Sequence, residues 1–407
     1  MDLTLNAEQQ ALRSGVRDYL ASRWDADRLR AAVAEPALRA DGWKELSELG
    51  VFGLMVPEEA GGLGLTLADA AIVLEELGAA LVPGPVIATV LGAGLVDGAL
   101  DGDAVVTMLD TAAPRPVLEH PDIATHVVEL DAAGLFVVPA GDLGARPAAI
   151  PLDPLTPVAV LDAGGQPRGT RIGTAADAWT WRLRGTVLTA AFQVGVARGG
   201  LDLAVRYAGQ RVQFGRVVGG FQAVKHLLAE SLVRIELARA AVLSAAVLAG
   251  DPQAGDPAVA AAAAKVLADD AAAAGGRTCV QVHGGMGFTW EVLAHLYLKR
   301  AWVLENSFGT ADEHAVFLAG RLASDPGPSP AVFSVLYKIN GSRSSRRAGP
   351  RRRPRHVRRD HRRGSGPAAG TDRHPDAQPV PAALPGAGPG RVPAGGPGLR
   401  RRQPAVE

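Results

Sequence analysis

Cysteine is almost missing from this chain; Cys279 is the only one. An intrachain disulfide is therefore impossible, as is a metal cluster built on cysteines, and no metal site is expected. Long apolar runs are missing too. None reaches the roughly 18 residues needed to cross a bilayer, so no membrane span is expected. The first residues, Met1 to Asn6, have neither the basic nor the apolar region of a signal peptide, which makes a cytoplasmic location the expectation. Lysine is scarce and arginine takes its place. Net charge is absent as well, with 42 Lys and Arg against 42 Asp and Glu. That balance hides an asymmetry. Residues 341–407 carry 16 basic and 4 acidic side chains, which leaves 26 and 38 in the first 340 residues, a formal charge of −12. An acidic body argues against nucleic acid as a partner.

The 407 residues are enough for two or three domains. Residues 1–103 read as an N-terminal α-helical domain. Asn6 with Gln9 resembles a capping box before a helix that places Leu12, Val16, Tyr19 and Leu20 on one face. Thr66 with Asp69 forms a second capping pair, ahead of Ile72, Val73, Leu74 and Leu77. Between them, residues 51–65 are broken by Pro57 and several glycines and read as a tight loop. Residues 104–183 change character. Short β-branched runs at Val105–Thr107, Thr125–Val128, Leu135–Val138 and Val158–Leu161 alternate with turn residues, which predicts a small antiparallel β domain.

Residues 184–324 return to a helical pattern. Val224, Leu227, Leu228, Ser231, Ile235 and Ala238 follow the i, i+3/i+4, i+7 rule. Asp256–Pro257 occupies the cap and first-turn positions of an alanine-rich helix. Gly195, Gly199 and Gly200 would permit close backbone approach, and several long antiparallel helices suggest a bundle. Residues 325–407 lose periodicity and become rich in Arg, Pro and Gly. Such a segment cannot bury enough surface to offset its ordering entropy, so a disordered tail is expected. Its composition is also what a GC-rich sequence read out of frame would produce, and no function is placed there.

Two stretches carry the chemistry. The first reads Tyr207-Ala-Gly-Gln-Arg211-Val-Gln-Phe214-Gly215 and continues through Phe221-Gln222. The second reads Gln281-Val-His-Gly284-Gly285-Met-Gly287, followed later by Phe308-Gly309-Thr310. Taken singly these are weak signals. A lone arginine is usually a surface ion-pair partner. A lone Gly-Gly-x-Gly is usually a turn, and no strand precedes it here, so a dinucleotide-binding reading fails. Their combination, order and spacing resemble the acyl-CoA dehydrogenase family. Trp43 to Leu46, Pro57 to Gly64 and Leu74 to Gly78 resemble that family's first domain. The resemblance covers most of residues 1–323 and none of the tail. It implies an α+β fold of N-terminal helical domain, small middle β domain and C-terminal helical bundle.

The resemblance also implies FAD as cofactor and an acyl-CoA thioester as substrate. Assembly as a homo- or hetero-oligomer follows, with an electron-transfer flavoprotein as acceptor. Arg211, Phe214 and Gln222 then fall where relatives meet the flavin of a neighbouring subunit. A guanidinium suits a pyrophosphate because it gives bidentate, charge-assisted bonds. Gln281, Gly284 and Gly285 fall on the loop whose backbone approaches the adenine end, where glycine allows proximity. No convincing counterpart of the strand and Trp-x-Thr/Ser segment that line the flavin ring occurs between 104 and 183. Trp179-Thr180-Trp181 lies too late.

The family reaction removes an α-proton while the β-hydrogen leaves as hydride to the flavin, and it needs a carboxylate as base. Counting from Gly284-Gly285, that glutamate falls on Phe308, which cannot accept a proton. A minority of relatives place the glutamate on the helix leading to Tyr207; counting back reaches about Gly185, with no carboxylate in Trp181 to Val187. Nearby carboxylates are Glu305, Asp312 and Glu313, with Glu305 the candidate if the backbone is displaced. Glu291 and His295 read as a structural pair at i, i+4. Three functions stay open. The chain is a dehydrogenase with an unusual base, or a base-lacking subunit of a heteromeric dehydrogenase such as those acting on steroid side-chain thioesters, or a non-catalytic structural or thioester-binding subunit.

Overall fold

Side-chain caps start three of the five α-helices of the N-terminal segment. In the computed structural model, which describes residues 4–324 apart from 112, 114–115, 162–168, 252 and the side chains of 36–41, Asn6 and Gln9 form the expected reciprocal capping box of α1 (Ala7–Arg23). The expected tail, 325–407, lies outside the described residues. Asp25 caps α2 (Ala26–Ala34), Pro36 opens α3 (Pro36–Glu48), and Thr66 with Asp69 forms the box of α4 (Leu67–Ala79). Each such cap is worth ~1 kcal/mol. The loop from Val51 to Leu65 turns tightly between α3 and α4, and α5 (Val86–Gly92) follows.

The β region differs from the expected antiparallel domain. Strand β1 (Val106–Asp110) pairs in parallel with β3 (His126–Leu130). The intervening β2 (Val117–Glu119) leaves for a second sheet, so β3 returns to β1 by a crossover instead of a hairpin. The remaining strands are β4 (Leu135–Pro139), β5 (Ala145–Pro147), β6 (Val158–Leu161) and β7 (Thr170–Gly173). They complete a four-stranded sheet, β1-β3-β4-β7, and a three-stranded sheet, β2-β6-β5, with antiparallel pairing at every other contact. Leu109, Leu118, Val127, Val138, Leu143 and Ala159 form a small apolar cluster of their own. Thr89 of α5 ties the helical segment to β1, since its Oγ1 donates to Val106 O at 2.9 Å and accepts from Val106 N at 3.0 Å.

The bundle begins earlier than the sequence suggested. Helix α6 (Ala175–Gln210) starts inside the segment 104–183, with Thr174 and Asp177 forming a third capping box, and Trp179 to Trp181 belong to its first turns. After a hairpin of β8 (Val212–Gln213) and β9 (Arg216–Val217) come α7 (Gln222–Gly250), α8 (Pro257–His283), α9 (Ala294–Leu304) and α10 (Ala311–Ser324). Asp256 caps α8 as expected, accepting from Ala258 N and Val259 N. The buried face of α7 holds Ser231, Ile235, Ala238 and Val242.

Helices α4 and α6 touch at their backbones. A Cβ at Gly195 would lie 2.0 Å from Glu75 O, and one at Gly199 2.4 Å from Ala79 O; Gly200 has ordinary room. This contact sets Glu75 and Glu76 between arginines from three helices. Arg17 and Arg198 hold Glu76 at 2.8 and 2.6 Å, and Arg198 and Arg239 hold Glu75 at 3.2 and 2.8 Å. Burial by itself would raise the pKa of Glu76, but the Arg17 hydrogen bonds and the Arg198 charge outweigh it and hold the carboxyl below its usual range. One apolar core runs from Val16 in α1 to Phe308 beyond α9 and includes Val106, Val128, Leu130 and Leu135 of the sheet.

Candidate functional site

Arg211 ends α6 as its C-cap, and the chain then folds back on itself, Val218 N donating to Arg211 O at 2.8 Å. The hairpin turn falls on Phe214 and Gly215, both at positive φ, +53° and +78°. Positive φ at both central residues is the pattern of a type I′ turn, where asparagine or glycine is usual. Phenylalanine there costs strain on the order of 1–3 kcal/mol. Its ring gains little in return within the chain, being 91% exposed with only an edge contact to Phe221 at 6.2 Å. Arg216 lies over the Phe221 ring at 4.0 Å and stiffens the loop. Arg211 and Gln222 are exposed, and Gln222 Nε2 lies 2.8 Å from His226 Nε2 at the start of α7.

The second stretch meets the first through two rings. Tyr207 of α6 stacks on His283 of α8 with centroids 4.3 Å apart. His283 is buried and its Nδ1–H donates to Cys279 O at 2.7 Å, which fixes the imidazole. Cys279 itself is inert, its thiol pushed up to about 12 by burial. Beyond His283 the chain forms a 3-10 turn, Gly284–Phe288. Gln281, Gly284 and Gly285 are exposed, and a Cβ at either glycine would meet nothing within 4 Å. Their backbone is open to an outside group. Phe288 and Trp290 beside them are exposed apolar residues. Glu291 and His295 do not form the expected helical pair. Glu291 precedes α9, its carbonyl accepts from Arg30 at 2.6 Å, and the His295 ring packs edge-on against Trp290 at 4.7 Å.

Gly185 and Phe308, the two positions on which the sequence reading expects the family's base, are in contact with each other. Phe308 is buried at φ +57°, and a Cβ at Gly185 would lie 2.0 Å from its Cε1 and 2.3 Å from its Cζ. The phenylalanine ring lies on bare α6 backbone, so a side chain at 185 would have to displace the Phe308 ring. The Gly309-Thr310 pair that follows has local reasons. Gly309 sits at φ +96°, and Thr310 opens α10 with Glu313, whose Oε2 accepts from Thr310 N at 2.8 Å. His314 Nε2–H donates to Phe308 O at 3.0 Å. Glu313 is thereby occupied as a capping residue. Glu305 ends α9, its carbonyl takes Lys265 Nζ at 3.3 Å, and neither it nor Asp312 lines the cavity at Phe308.

The carboxylate that does line that cavity is Glu119, which the sequence motifs do not single out. It comes from β2, accepts from Ser307 Oγ at 2.9 Å, and has its pKa raised mainly by burial, against the pull of Ser307 and Arg300. No signal in a three-residue strand distinguishes it from any exposed glutamate. The cavity measures about 50 Å³, lies between α5, β1, β2, α6 and the turn at Phe308, and is walled by Phe192, Leu304 and Met108 among others. Small-molecule sites usually span ~300–1,000 Å³. The exposed motif residues thus offer a guanidinium and open glycine backbone to a phosphate-bearing group, whereas this cavity is too small for a flavin ring.

Residues 183–323 match the family described as acyl-CoA dehydrogenase, C-terminal domain, and residues 6–99 match acyl-CoA dehydrogenase, N-terminal domain. Acyl-CoA dehydrogenase IpdE2 of Mycobacterium tuberculosis is 38% identical over 311 residues, spanning 74% of this chain and 92% of that protein. Acyl-CoA dehydrogenase FadE34 of the same organism is 36% identical over 339 residues, but the match spans only 46% of that longer protein. Among solved structures, a Tcur3481–Tcur3483 steroid ACAD variant superposes with a TM-score of 0.68 at 26% identity, over 79% of this chain and 99% of that one. The ChsE4–ChsE5 complex from Mycobacterium tuberculosis superposes with a TM-score of 0.67 at 24% identity, over 80% and 100%, a likeness of fold. Both helical segments match and a relative aligns over nearly its whole length: the chain belongs to the acyl-CoA dehydrogenase family.

Proposed function

We propose that this chain is a base-lacking subunit of a heteromeric, FAD-dependent acyl-CoA dehydrogenase that desaturates an acyl-CoA thioester at the α,β position. The observation that carries the reading is the Phe308 ring packed on Gly185. Both positions from which the family draws its base are filled by one apolar contact, and a proton cannot be accepted there. The exposed, strained Phe214, with Arg211, Gln222, Gln281, Gly284 and Gly285, supports a face turned toward a flavin held mainly by a homologous partner. Arg211 would hold phosphate oxygens, and the two glycines would let the backbone approach the adenine end. The bound flavin supplies hydride acceptance; this chain's own residues bind and orient it. An electron-transfer flavoprotein would accept the electrons. The steroid ACAD among its structural neighbours is named as two proteins together, in keeping with such an assembly.

Purification alone and after co-expression with a homologous dehydrogenase tests this. The chain by itself is expected to be colourless and inactive, and the pair yellow and active. A yellow chain that turns over acyl-CoA alone refutes the subunit reading. In that event Glu119 is the base to test, because its carboxylate lines the Phe308 cavity and those of Glu305 and Asp312 do not. Glu305→Gln is expected to leave activity of the pair unchanged.

A further inference from the structure

Two buried polar groups around the Phe308 cavity have no hydrogen-bond partner among the described residues: Nη2 of Arg300 and Oγ1 of Thr189. Arg300 is 4% exposed, Thr189 0%, and both line the cavity. Leaving such a donor unmet in a fold costs roughly 1–3 kcal/mol, more for a charged group. Such a group calls for a partner the chain does not supply, a ligand or ordered water.

The guanidinium is fixed in place. Arg300 Nε bonds Asp153, and Nη1 donates to Val82 O at 3.1 Å, so Nη2 is what remains. Asp153 in turn accepts from Thr156 Oγ1 at 2.9 Å and Leu155 N at 3.0 Å. The charges of Arg300 and Asp153 cancel locally. Burial favours the uncharged form of Glu119, which lines this space beside His120. A carboxylate ligand would therefore find the Arg300 charge already paired with Asp153. A hydrocarbon would leave both donors unmet. The remaining wall is mixed: Val86, Ile87, Met108, Phe192, Leu304 and Phe308 are apolar, whereas Thr107, His120, Thr156 and Ser307 bring polar groups. A single water needs ~10–15 Å³ of such space, so about 50 Å³ leaves room for a few heavy atoms.

We propose that this cavity binds a small, neutral, carbonyl- or hydroxyl-bearing apolar group, with Arg300 Nη2 and Thr189 Oγ1 donating to its oxygen.

The test uses two isosteric probes, butan-2-one and 2-methylbut-1-ene, which differ in oxygen against methylene. The readout is the methyl resonances of Val86, Ile87, Met108 and Leu304 in the full chain. The ketone is expected to shift these signals saturably and to bind about tenfold more tightly than the alkene, the factor that ~1.4 kcal/mol of hydrogen bonding supplies. Thr189→Val, which keeps the shape of the side chain and removes the hydroxyl, is expected to preserve or raise the melting temperature and to shrink that preference. Equal affinity for the two probes overturns the proposal, as does a lack of saturable shifts with either, and the cavity then holds ordered water. Propanoate binding more tightly than the ketone at neutral pH overturns its neutral character.

Discussion

Replacing Gly185 by alanine places a methyl 2.0 Å from Cε1 and 2.3 Å from Cζ of Phe308, far inside the ~3.5–4.0 Å at which carbon atoms rest. Overpacking of this kind costs about 1–3 kcal/mol. Alanine recovers about 1 kcal/mol over glycine inside a helix, so Gly185→Ala is expected to destabilise by roughly 0–2 kcal/mol net. Phe308→Ala removes a buried ring and is expected to cost about 3–5 kcal/mol. On that background the methyl at 185 has space, and the same Gly185→Ala change should stabilise by about 1 kcal/mol. The two changes are therefore coupled by about 1–3 kcal/mol. Equilibrium urea unfolding of the four proteins, compared at equal slope, measures it. If the two effects add within ~0.5 kcal/mol, the ring does not rest on Gly185, and the reading of these positions as one filled contact fails.

Three further outcomes are expected. Phe214→Asn should leave the chain as stable or slightly more so, since asparagine tolerates positive φ, while flavin retention by the co-expressed pair falls; flavin absorbance per protein reads this, and unchanged retention counts against a flavin contact at Phe214. Glu76 has its pKa held below the ordinary value, so the stability it contributes is present above the unfolded-state pKa and lost as pH falls through the folded one. Glu76→Gln should lower stability at neutral pH and flatten its decline in acid, as followed by melting temperature against pH. Lys265 is fully buried and paired with Asp269 at 2.7 Å. Asp269→Asn alone should cost about 3–5 kcal/mol because it strands a buried charge, whereas Lys265→Met with Asp269→Leu should be far milder; a double variant as unstable as the single one contradicts this.

The helix starts were legible because they depend on neighbours in the chain. Asn6 with Gln9, Thr66 with Asp69, and Asp256 before Pro257 each contain donor and acceptor within three residues, and all three caps are present. Periodicity likewise located the buried faces of α1 and α7. The β region was harder. Its strands showed as β-branched runs, but the departure of β2 to a second sheet, which makes β1 and β3 parallel, has no local signature. The start of α6 at Ala175 does have one, since Thr174 and Asp177 obey the same capping rule, although the expected domain boundary fell nine residues later, at 184.

By itself, the sequence determined the family, the helical and β segments, and the absence of a carboxylate at positions 185 and 308. Family motifs and missing residue types can be read along a line. Only the tertiary structure decided that those two positions touch, that Glu305 lies away from the cavity while Glu119 lines it, and that Arg300 and Thr189 face it with donors unmet. Those facts depend on α5, α6, the turn after α9 and two separate strands meeting around one small space. Contacts between residues so far apart in the chain are set by packing, which no stretch of sequence contains.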